Sequence, residues 1–322
     1  MKYIRLKTTD PYYNLAAEEY LFKNSPDDVF MLWQNRPSVI IGKNQNAYAE
    51  VNLAYAKDAG ISVCRRITGG GAVYHDLGNI NYTFISVGGK REALDFEYFT
   101  RPIISVLSEM GVEARLGGRN DIECGGLKIS GNAQYADGGR ILHHGTLLFD
   151  VDVEKMSLAL KVDKEKLAYR AVKSCRARVT NLRQMLGSNL NAEDFIAQIE
   201  SRVCRELGAV RESAPQCEEV DLICRRNASD SWIYSEKRFL TDYSVRRKKK
   251  YPFGIVEIEL DIAAHTVKRA VISGDFFGTA PIEELEAALV GINTESPSFI
   301  NPAPYIAGMS FSELAELLRE AK

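Results

Sequence analysis

The chain has 322 residues, of which 45% are hydrophobic and 26% charged, a balance that supports two packed globular domains. The net charge of −2 gives no electrostatic basis for binding nucleic acid or membrane surfaces. Six cysteines without CxxC spacing and four histidines argue against zinc, and neither a signal peptide nor an apolar run of membrane-spanning length is present. We therefore expect a cytoplasmic protein with free thiols.

The N-terminal part predicts short strands and helices. Apolar residues indicate strands at 4–6, 29–33, 38–42 and 61–63. Helical spacing indicates helices at 14–22, with Asn14 as N-cap, and at 53–59, ending at Gly60. A turn at 35–37 separates the second and third strands. Trp33, at the end of the second strand, is either a core residue or an apolar wall for a ligand chain.

The strongest chemical signal lies at 65–79. Arg65 and Arg66 lead into three consecutive glycines at 69–71, and apolar residues resume at 82–85. Consecutive glycines leave backbone N–H groups open, so the main chain can wrap around an anion. The preceding arginines can hold a carboxylate or a phosphate. We predict a strand, an anion-binding loop and a second strand; the alternative is a glycine-rich hairpin turn with its arginines in solvent.

A second polar stretch follows a helix predicted at 103–110. Residues 126–133 indicate a strand in which the apolar neighbours of Lys128 face a core, while Lys128 and Ser130 face the opposite side. Lys128 is then either on the solvent face of an edge strand or a fixed ammonium group in a pocket that binds phosphate or carboxylate oxygens.

The stretch at 141–150 predicts another strand. Its two histidines, His143 and His144, face opposite sides and so do not form a metal pair. Residues 155–177 are polar and cationic. We interpret them as a mobile cover, with a solvated charged face as the alternative.

The basic run at 246–250 is the predicted domain boundary, because like charges repel and keep a segment extended. Two strands and two helices follow, at 255–262, 267–273 and 282–290 and from the capping box Ser310-Phe311-Ser312-Glu313. They indicate a small α+β domain without a catalytic cluster. The predicted domains are therefore 1–246 and 247–322.

No Walker P-loop, Rossmann fingerprint or GxSxG elbow is present. The chain instead resembles the lipoate–protein ligase family over nearly its whole length. The resemblance rests on five blocks: 65–79, Gly118-Arg119-Asn120-Asp121, Lys128-Ile129-Ser130-Gly131, His143-His144-Gly145-Thr146-Leu147 and Arg178-Val179-Thr180-Asn181-Leu182. It implies an α+β fold: a mixed β-sheet flanked by helices, as in biotin ligases and class II aminoacyl-tRNA synthetases, with a small α+β C-terminal accessory domain.

The resemblance also implies a two-step reaction. Lipoate and ATP, with Mg²⁺, give lipoyl-AMP, and a lysine of an acceptor protein then takes the lipoyl group. The implied acceptors are the lipoyl domains of 2-oxo acid dehydrogenase acyltransferases and the H protein of glycine cleavage. The alternatives are an ATP-independent octanoyl or lipoyl transferase, with Cys175 as the nucleophile, and a non-catalytic adenylate or lipoate sensor.

Site residues follow from the same resemblance. Lys128 is the expected catalytic residue and contacts both ATP and lipoate. The other expected ATP contacts are Arg66, Gly71, Ala72, Val73, Tyr74 and Asp121, and Asp121 is also the candidate Mg²⁺ ligand. The other expected lipoate contacts are Trp33, Arg65, Thr68, Gly70, Val73, Ser130 and His144. The segment 164–183 would fold over the adenylate, and the basic run at 246–250 is either a solvated linker or a surface that attracts acidic lipoyl domains.

Overall fold

The computed structural model describes residues 1–89, 91–161, 179–187, 190–239 and 241–319. Within these ranges the strands are β1 (Lys2–Arg5), β2 (Val29–Trp33), β3 (Ser38–Ile41), β4 (Ser62–Arg65), β5 (Val73–His75), β6 (Asn79–Ser86), β7 (Ala114–Gly117), β8 (Asp121–Cys124), β9 (Leu127–Asp137), β10 (Arg140–Leu148), β11 (Val210–Glu212), β12 (Val245–Tyr251), β13 (Gly254–Ala263) and β14 (Thr266–Gly274). The helices are α1 (Pro11–Asn24), α2 (Ala47–Glu50), α3 (Leu53–Asp58), α4 (Phe96–Glu109), α5 (Val153–Ala159), α6 (Leu182–Met185), α7 (Ala192–Leu207), α8 (Glu218–Asn227), α9 (Asp230–Tyr234), α10 (Glu236–Phe239), α11 (Ile282–Leu289) and α12 (Phe311–Arg319).

Three sheets organise the described chain. The large sheet has the order β11-β1-β2-β6-β10-β9-β8-β7, and it is mixed because β1 pairs in parallel with β2 and β11 while β6, β10 and β9 pair antiparallel. A small sheet has the order β4-β3-β5, and a C-terminal sheet has the order β12-β13-β14. Helices flank these sheets, so the predicted α+β architecture with a C-terminal α+β unit is confirmed.

The large sheet carries an apolar core on each face. Phe30, Tyr82 and Phe84 point to one side and pack with residues of α4 and α7 such as Ile103 and Phe195. Alternate residues of the same strands point to the other side and pack against α1. The site described below lies on this second side.

Helix α1 begins earlier than predicted. Its N-cap is Asp10, whose carboxylate accepts the backbone N–H groups of Tyr12 and Tyr13, and Pro11 occupies the first turn. The predicted cap, Asn14, lies inside the helix and is fully buried. Its amide donates to the carbonyl oxygens of Thr8 and Gln34. The polar side chain that indicated a cap therefore serves a buried tertiary contact.

The chain around 35–37 joins strands of two different sheets, because β2 pairs with β1 and β6 whereas β3 pairs with β4 and β5. Every residue of β2 and β3 is buried. Strands buried on both faces show no alternation, so the sequence pattern contains no information about which sheet each joins. This placement sets β5 and the glycine loop across one face of the large sheet.

The prediction of a solvated linker at 246–250 is wrong, because these residues form most of the edge strand β12. Carboxylates offset the repulsion between the basic side chains: Arg246 pairs with Glu257 and Glu259, and Lys249 lies 2.8 Å from Glu316. The predicted capping box at 310–313 is confirmed, since the backbone N–H of Ser310 donates to Glu313 at 2.7 Å. No described helix is long and apolar enough to span a membrane.

The C-terminal unit touches the glycine loop directly. The backbone N–H of Gly70 donates to the carbonyl oxygen of Phe276 at 3.2 Å. Arg119 donates to the carbonyl oxygen of Asp275 at 3.2 Å, and its guanidinium lies 4.7 Å from the ring centre of Phe277. The loop after β14 thereby joins the two chemical stretches predicted from sequence, the glycine loop and the Arg-Asn-Asp segment.

Candidate active site

A cavity of about 590 Å³, its open mouth included, lies between α1, the large sheet and the glycine loop. Its floor follows a cross-strand row in which Asn81 of β6 lies opposite Trp33 of β2 on one side and Thr146 of β10 on the other. The apolar side chains of the lining are Leu15, Trp33, Ile40, Ala72, Val73 and Ala133. One end therefore suits an apolar chain, while polar residues line the rest.

Lys128 is a cavity residue on an interior strand, since β9 lies between β8 and β10. This position excludes the alternative of an edge-strand lysine. Its Nζ lies 2.8 Å from Oδ1 of Asp121, and both side chains are about one-third exposed. A Cβ at Gly131 would lie 2.7 Å from this Nζ, so glycine there leaves room for the ammonium group. Gly71, Ala72 and Val73 line the same cavity.

Arg66 also lines the cavity, but most of its donors are committed to the glycine loop. Its guanidinium donates to the carbonyl oxygens of Ile40, Gly69 and Gly71 and to the hydroxyl of Thr68. Burial lowers the pKa of Arg66 to about 10, opposed by the charge of Glu18, so the group stays cationic at neutral pH. Arg66 therefore shapes the loop and places a positive charge beneath it.

Arg65 lies outside the cavity lining. Its guanidinium donates to backbone carbonyl oxygens of the 42–45 loop and of Trp232 and Ile233. Burial, with the charges of Arg238 and Arg66, lowers its pKa to about 9. It thus ties the β3–α2 loop to α9, and the predicted lipoate contact would require these bonds to open.

Four other predicted residues also lie behind the cavity wall. The Tyr74 side chain packs in the core around Val39 and Ile41. Ser130 is fully buried and accepts from the Asn132 amide at 3.3 Å. Gly70 has a φ of +86°, which favours glycine, and contacts Phe276 as described above. Thr68 is fully buried between Arg66 and His144.

A hydrogen-bond chain links the apolar end of the cavity to the glycine loop. Its links are Trp33 Nε1 to Thr83 Oγ1 (3.0 Å), Thr83 Oγ1 to Glu18 (2.6 Å), Glu18 to His144 Nδ1 (3.0 Å), His144 Nε2 to Thr68 Oγ1 (2.9 Å) and Thr68 Oγ1 to Arg66 Nε (2.8 Å). The Glu18 carboxylate can only accept, so Nδ1 of His144 carries the proton of that link. The Thr68 hydroxyl accepts from Arg66 Nε and also bonds to Nε2 of His144.

The two histidines of β10 face opposite sides, as predicted. His144 belongs to the cavity, whereas His143 stacks on Phe99 at 5.1 Å and bonds to Gln134 and Asn132 in the other core. Burial lowers the pKa of His143 well below its usual value, so it is a neutral structural group.

Several residues of the site were not predicted from sequence. Glu18, which bonds to Thr83 and His144 behind the lining, is the one that a pattern could have indicated, because it lies three residues after Leu15 and four before Phe22 on the buried face of α1. His75 and Asn132 gave no usable signal, since their partners Asn35 and His143 lie 40 and 11 residues away in sequence. Asn81 gave none either, because its place in the lining depends on the pairing of β6 with β2 and β10. The predicted cover at 164–183 lies mostly outside the described residues, as does Cys175.

A mixed sheet, a glycine loop over a buried arginine and a strand lysine beside an apolar slot define a class of acyl-activating ligases. Comparison with known proteins agrees: residues 10–203 match the "Lipoyl protein ligase A/B catalytic domain" family and residues 241–318 the "Bacterial lipoate protein ligase C-terminus" family. The chain belongs to the lipoate–protein ligase family and is an enzyme of the ligase class.

Individual relatives support this assignment. The chain is 40% identical to lipoate-protein ligase LplJ of Bacillus subtilis, covering 88% of this chain and 87% of the relative. It is 39% identical to lipoate–protein ligase 1 of Staphylococcus aureus, with the same coverage. Solved structures of proteins with a similar fold include Plasmodium falciparum LipL1 in complex with lipoate (TM-score 0.77, 21% identity, 99% and 98% coverage) and lipoate-protein ligase A bound with ATP (TM-score 0.63, 25% identity, 72% and 98% coverage). These matches do not favour the transferase alternative.

Proposed function

We propose that this chain is an ATP-dependent lipoate–protein ligase. In the first step a carboxylate oxygen of lipoate attacks the α-phosphorus of ATP, giving lipoyl-AMP and pyrophosphate. In the second step a lysine amine of an acceptor domain attacks the acyl carbon, and AMP leaves. The observation that carries the proposal is the presence of Lys128, the glycine-loop backbone and an apolar slot in one cavity.

The site addresses the main obstacle to adenylation, the repulsion between two anions. Lys128 supplies an ammonium group inside the cavity, and Arg66 supplies a second positive charge beneath the glycine loop. Preorganised cations and N–H dipoles act more strongly in a partly enclosed site than in water. Holding the two reactants in contact can contribute about 7–11 kcal/mol without an enzyme nucleophile.

The predicted nucleotide and acyl contacts divide along the cavity. We assign Gly71, Ala72, Val73 and the backbone of Tyr74 to ATP, Trp33 and His144 to the acyl chain, and Lys128 to both. We retain Arg66 as a nucleotide-site cation, whereas Arg65, Thr68, Gly70 and Ser130 support the lining from behind.

Asp121 fits the predicted Mg²⁺ only as a single carboxylate beside Lys128. The described residues contain no group of three or more His, Cys, Asp or Glu side chains that could hold a metal. This arrangement suits Mg²⁺, which is often held by one or two carboxylates together with substrate phosphates. When bound, the ion would neutralise part of the phosphate charge.

The described end of the predicted cover meets the strand that carries Lys128. Val179 forms a parallel bridge with Lys128, and the Thr180 N–H donates to the Lys128 carbonyl oxygen at 3.0 Å. We propose that the 164–183 segment shields the adenylate from water while the acceptor lysine enters.

We further propose two domains, at 1–246 and 247–322, although β12 crosses this boundary. We also propose a cytoplasmic location, because the cysteines in the described part of the chain are free thiols, as is usual in a reducing compartment. The proposed acceptors are the lipoyl domains of 2-oxo acid dehydrogenase acyltransferases and the glycine cleavage H protein.

The direct test of the proposed function is lipoyl transfer to a purified lipoyl domain with and without ATP. Modification that requires ATP supports the ligase, whereas ATP-independent transfer that Cys175→Ser abolishes would overturn it.

A further inference from the structure

Two buried polar atoms of the cavity residues have no hydrogen-bond partner among the residues that the structure describes: Nε2 of His75 and Nδ2 of Asn81. His75 is only 3% exposed and Asn81 only 2% exposed. The other polar residues of the lining have no buried side-chain nitrogen or oxygen that lacks a partner in the described chain: Arg66, Asn120, Lys128, Asn132, His144 and Thr146. Because buried polar groups are almost always bonded, two exceptions in one cavity point to a partner on the ligand.

The hydrogen-bond network determines which nitrogen of His75 carries the proton. The two hydrogens of the Asn14 amide N–H₂ are shared among three oxygens: the carbonyl oxygens of Thr8 and Gln34 and Oδ1 of Asn35, 2.9 Å away. Asn35 therefore turns its N–H₂ toward Nδ1 of His75, 3.1 Å away. Nδ1 is thus the acceptor, and Nε2 carries the proton of the neutral ring.

The ring is neutral at physiological pH. Burial lowers the pKa of His75 to about 3, and the positive charge of Arg66 contributes to the shift. His75 consequently offers one uncharged N–H donor. With its amide oriented as in the structure, Asn81 offers a second, because its Oδ1 accepts from Asn79 at 2.9 Å while its Nδ2 has no partner in the described chain.

Both donors flank the indole of Trp33. The His75 ring centre lies 6.1 Å from that of Trp33, and Asn81 lies directly opposite Trp33 in the sheet. On its other side Asn81 faces Thr146, which bonds to Gly131 next to the Lys128 ammonium group. The two donors thus lie along the path from Lys128 to the apolar end.

We propose that His75 and Asn81 are specificity-determining residues that donate hydrogen bonds to an acceptor atom of the acyl substrate. The inference rests on the proposed function. Lipoate has acceptors only at its ends, carboxylate oxygens at one and dithiolane sulfurs at the other, joined by an apolar chain. The donors therefore bind one of these two groups, and octanoate, which has the oxygens but no sulfur, distinguishes them.

The test uses paired substitutions of His75 in the full chain. The Oδ1 of His75→Asn can replace Nδ1 as the acceptor for Asn35, but this variant has no donor at the position of Nε2. His75→Gln places an amide N–H₂ near that position and should restore much of the affinity. Lipoate and octanoate binding are measured by titration calorimetry, and folding by thermal unfolding.

We expect His75→Asn to weaken lipoate binding about tenfold without a large loss of thermal stability. Equal weakening for octanoate assigns the donors to a carboxylate oxygen, and weakening for lipoate alone assigns them to sulfur. Ser38→Ala is the matched control, because Ser38 lies opposite His75 in the small sheet and has a buried unpartnered hydroxyl but does not line the cavity. It should bind both acids as the wild type does.

Unchanged binding in His75→Asn would overturn the inference. If that variant does not fold, Asn81→Leu decides in its place: weaker binding of either acid supports the inference and unchanged binding refutes it. A wild-type chain that binds neither acid would instead contradict the proposed function and remove the basis of the inference.

Discussion

The N–H of Gly70 donates to the carbonyl oxygen of Phe276 across 3.2 Å, so the glycine loop is bonded to the loop after β14. The ring of Phe277 completes the contact by packing 5.3 Å from Phe96. The geometry of the glycine loop therefore depends on residues that are far away in sequence.

Gly69→Ala tests this dependence. A Cβ at Gly69 would lie 2.4 Å from the Phe276 carbonyl oxygen, which is backbone and cannot turn aside. We expect a loss of about 1–3 kcal/mol in unfolding free energy, because overpacking forces the two loops apart. Gly71→Ala is the matched substitution, since its nearest neighbour is 3.9 Å away, and it should change stability by less than about 0.5 kcal/mol. Equal denaturation midpoints for the two variants would argue against the contact.

Glu18→Gln tests the hydrogen-bond chain between the acyl slot and the glycine loop. Glutamine keeps the size of the side chain but presents a donor where Thr83 and His144 both donate. We expect a loss of about 1–3 kcal/mol in stability and a raised KM for lipoate. Lipoate-dependent ATP–pyrophosphate exchange measures the KM. A variant with the wild-type KM and melting temperature would show that the chain does not position the slot.

The contact between α1 and α8 should depend on pH. Burial alone would raise the pKa of Glu19, but hydrogen bonds and charges from Arg226 and Lys23 outweigh it and lower the pKa below its usual 4.5. A carboxyl with a lowered folded-state pKa contributes stability above about 4.5 that is lost as the pH falls through the folded value. Glu19→Gln should therefore lower stability by about 1–3 kcal/mol at pH 7 and make it less dependent on pH below about 4.5. Parallel acid-unfolding curves for variant and wild type would contradict this assignment.

Attraction of acidic lipoyl domains, the second role predicted for the basic run at 246–250, stays a prediction for the edge strand β12. Lys250 is exposed on this edge and lies opposite the uncharged Ile255. We expect Lys250→Glu to raise the KM for the lipoyl domain about two- to tenfold at low ionic strength and to have little effect at high salt. Lys268→Glu on the exposed face of β14 is the comparison, with a smaller expected change. No salt-dependent difference would leave β12 with a structural role only.

The elements that the sequence predicted well have local signals. The second half of helix α4, predicted at 103–110, has apolar residues at helical spacing, and β13 alternates; the first half of α4, from Phe96, was not predicted. Strand β12 was missed because the carboxylates that stabilise Arg246 and Lys249 come from another strand and a helix. The same limit applies to the site. The motif blocks predicted that Lys128 and the glycine loop share one site. The sequence could not show that the Arg65 guanidinium is bonded to backbone carbonyl oxygens, or that Nε2 of His75 has no partner in the described chain, because both depend on residues that only the fold brings together.

The central claim is that Lys128 holds the lipoate carboxylate and the ATP phosphates together. The most direct measurement is lipoate-dependent ATP–pyrophosphate exchange by the wild type and by Lys128→Ala, with circular dichroism confirming that the variant is folded. We expect exchange by the wild type and about a hundred- to thousandfold loss in the folded variant, because removing a preorganised charge from a transition state costs about 2.7–4 kcal/mol. Exchange at the wild-type rate in folded Lys128→Ala would contradict it.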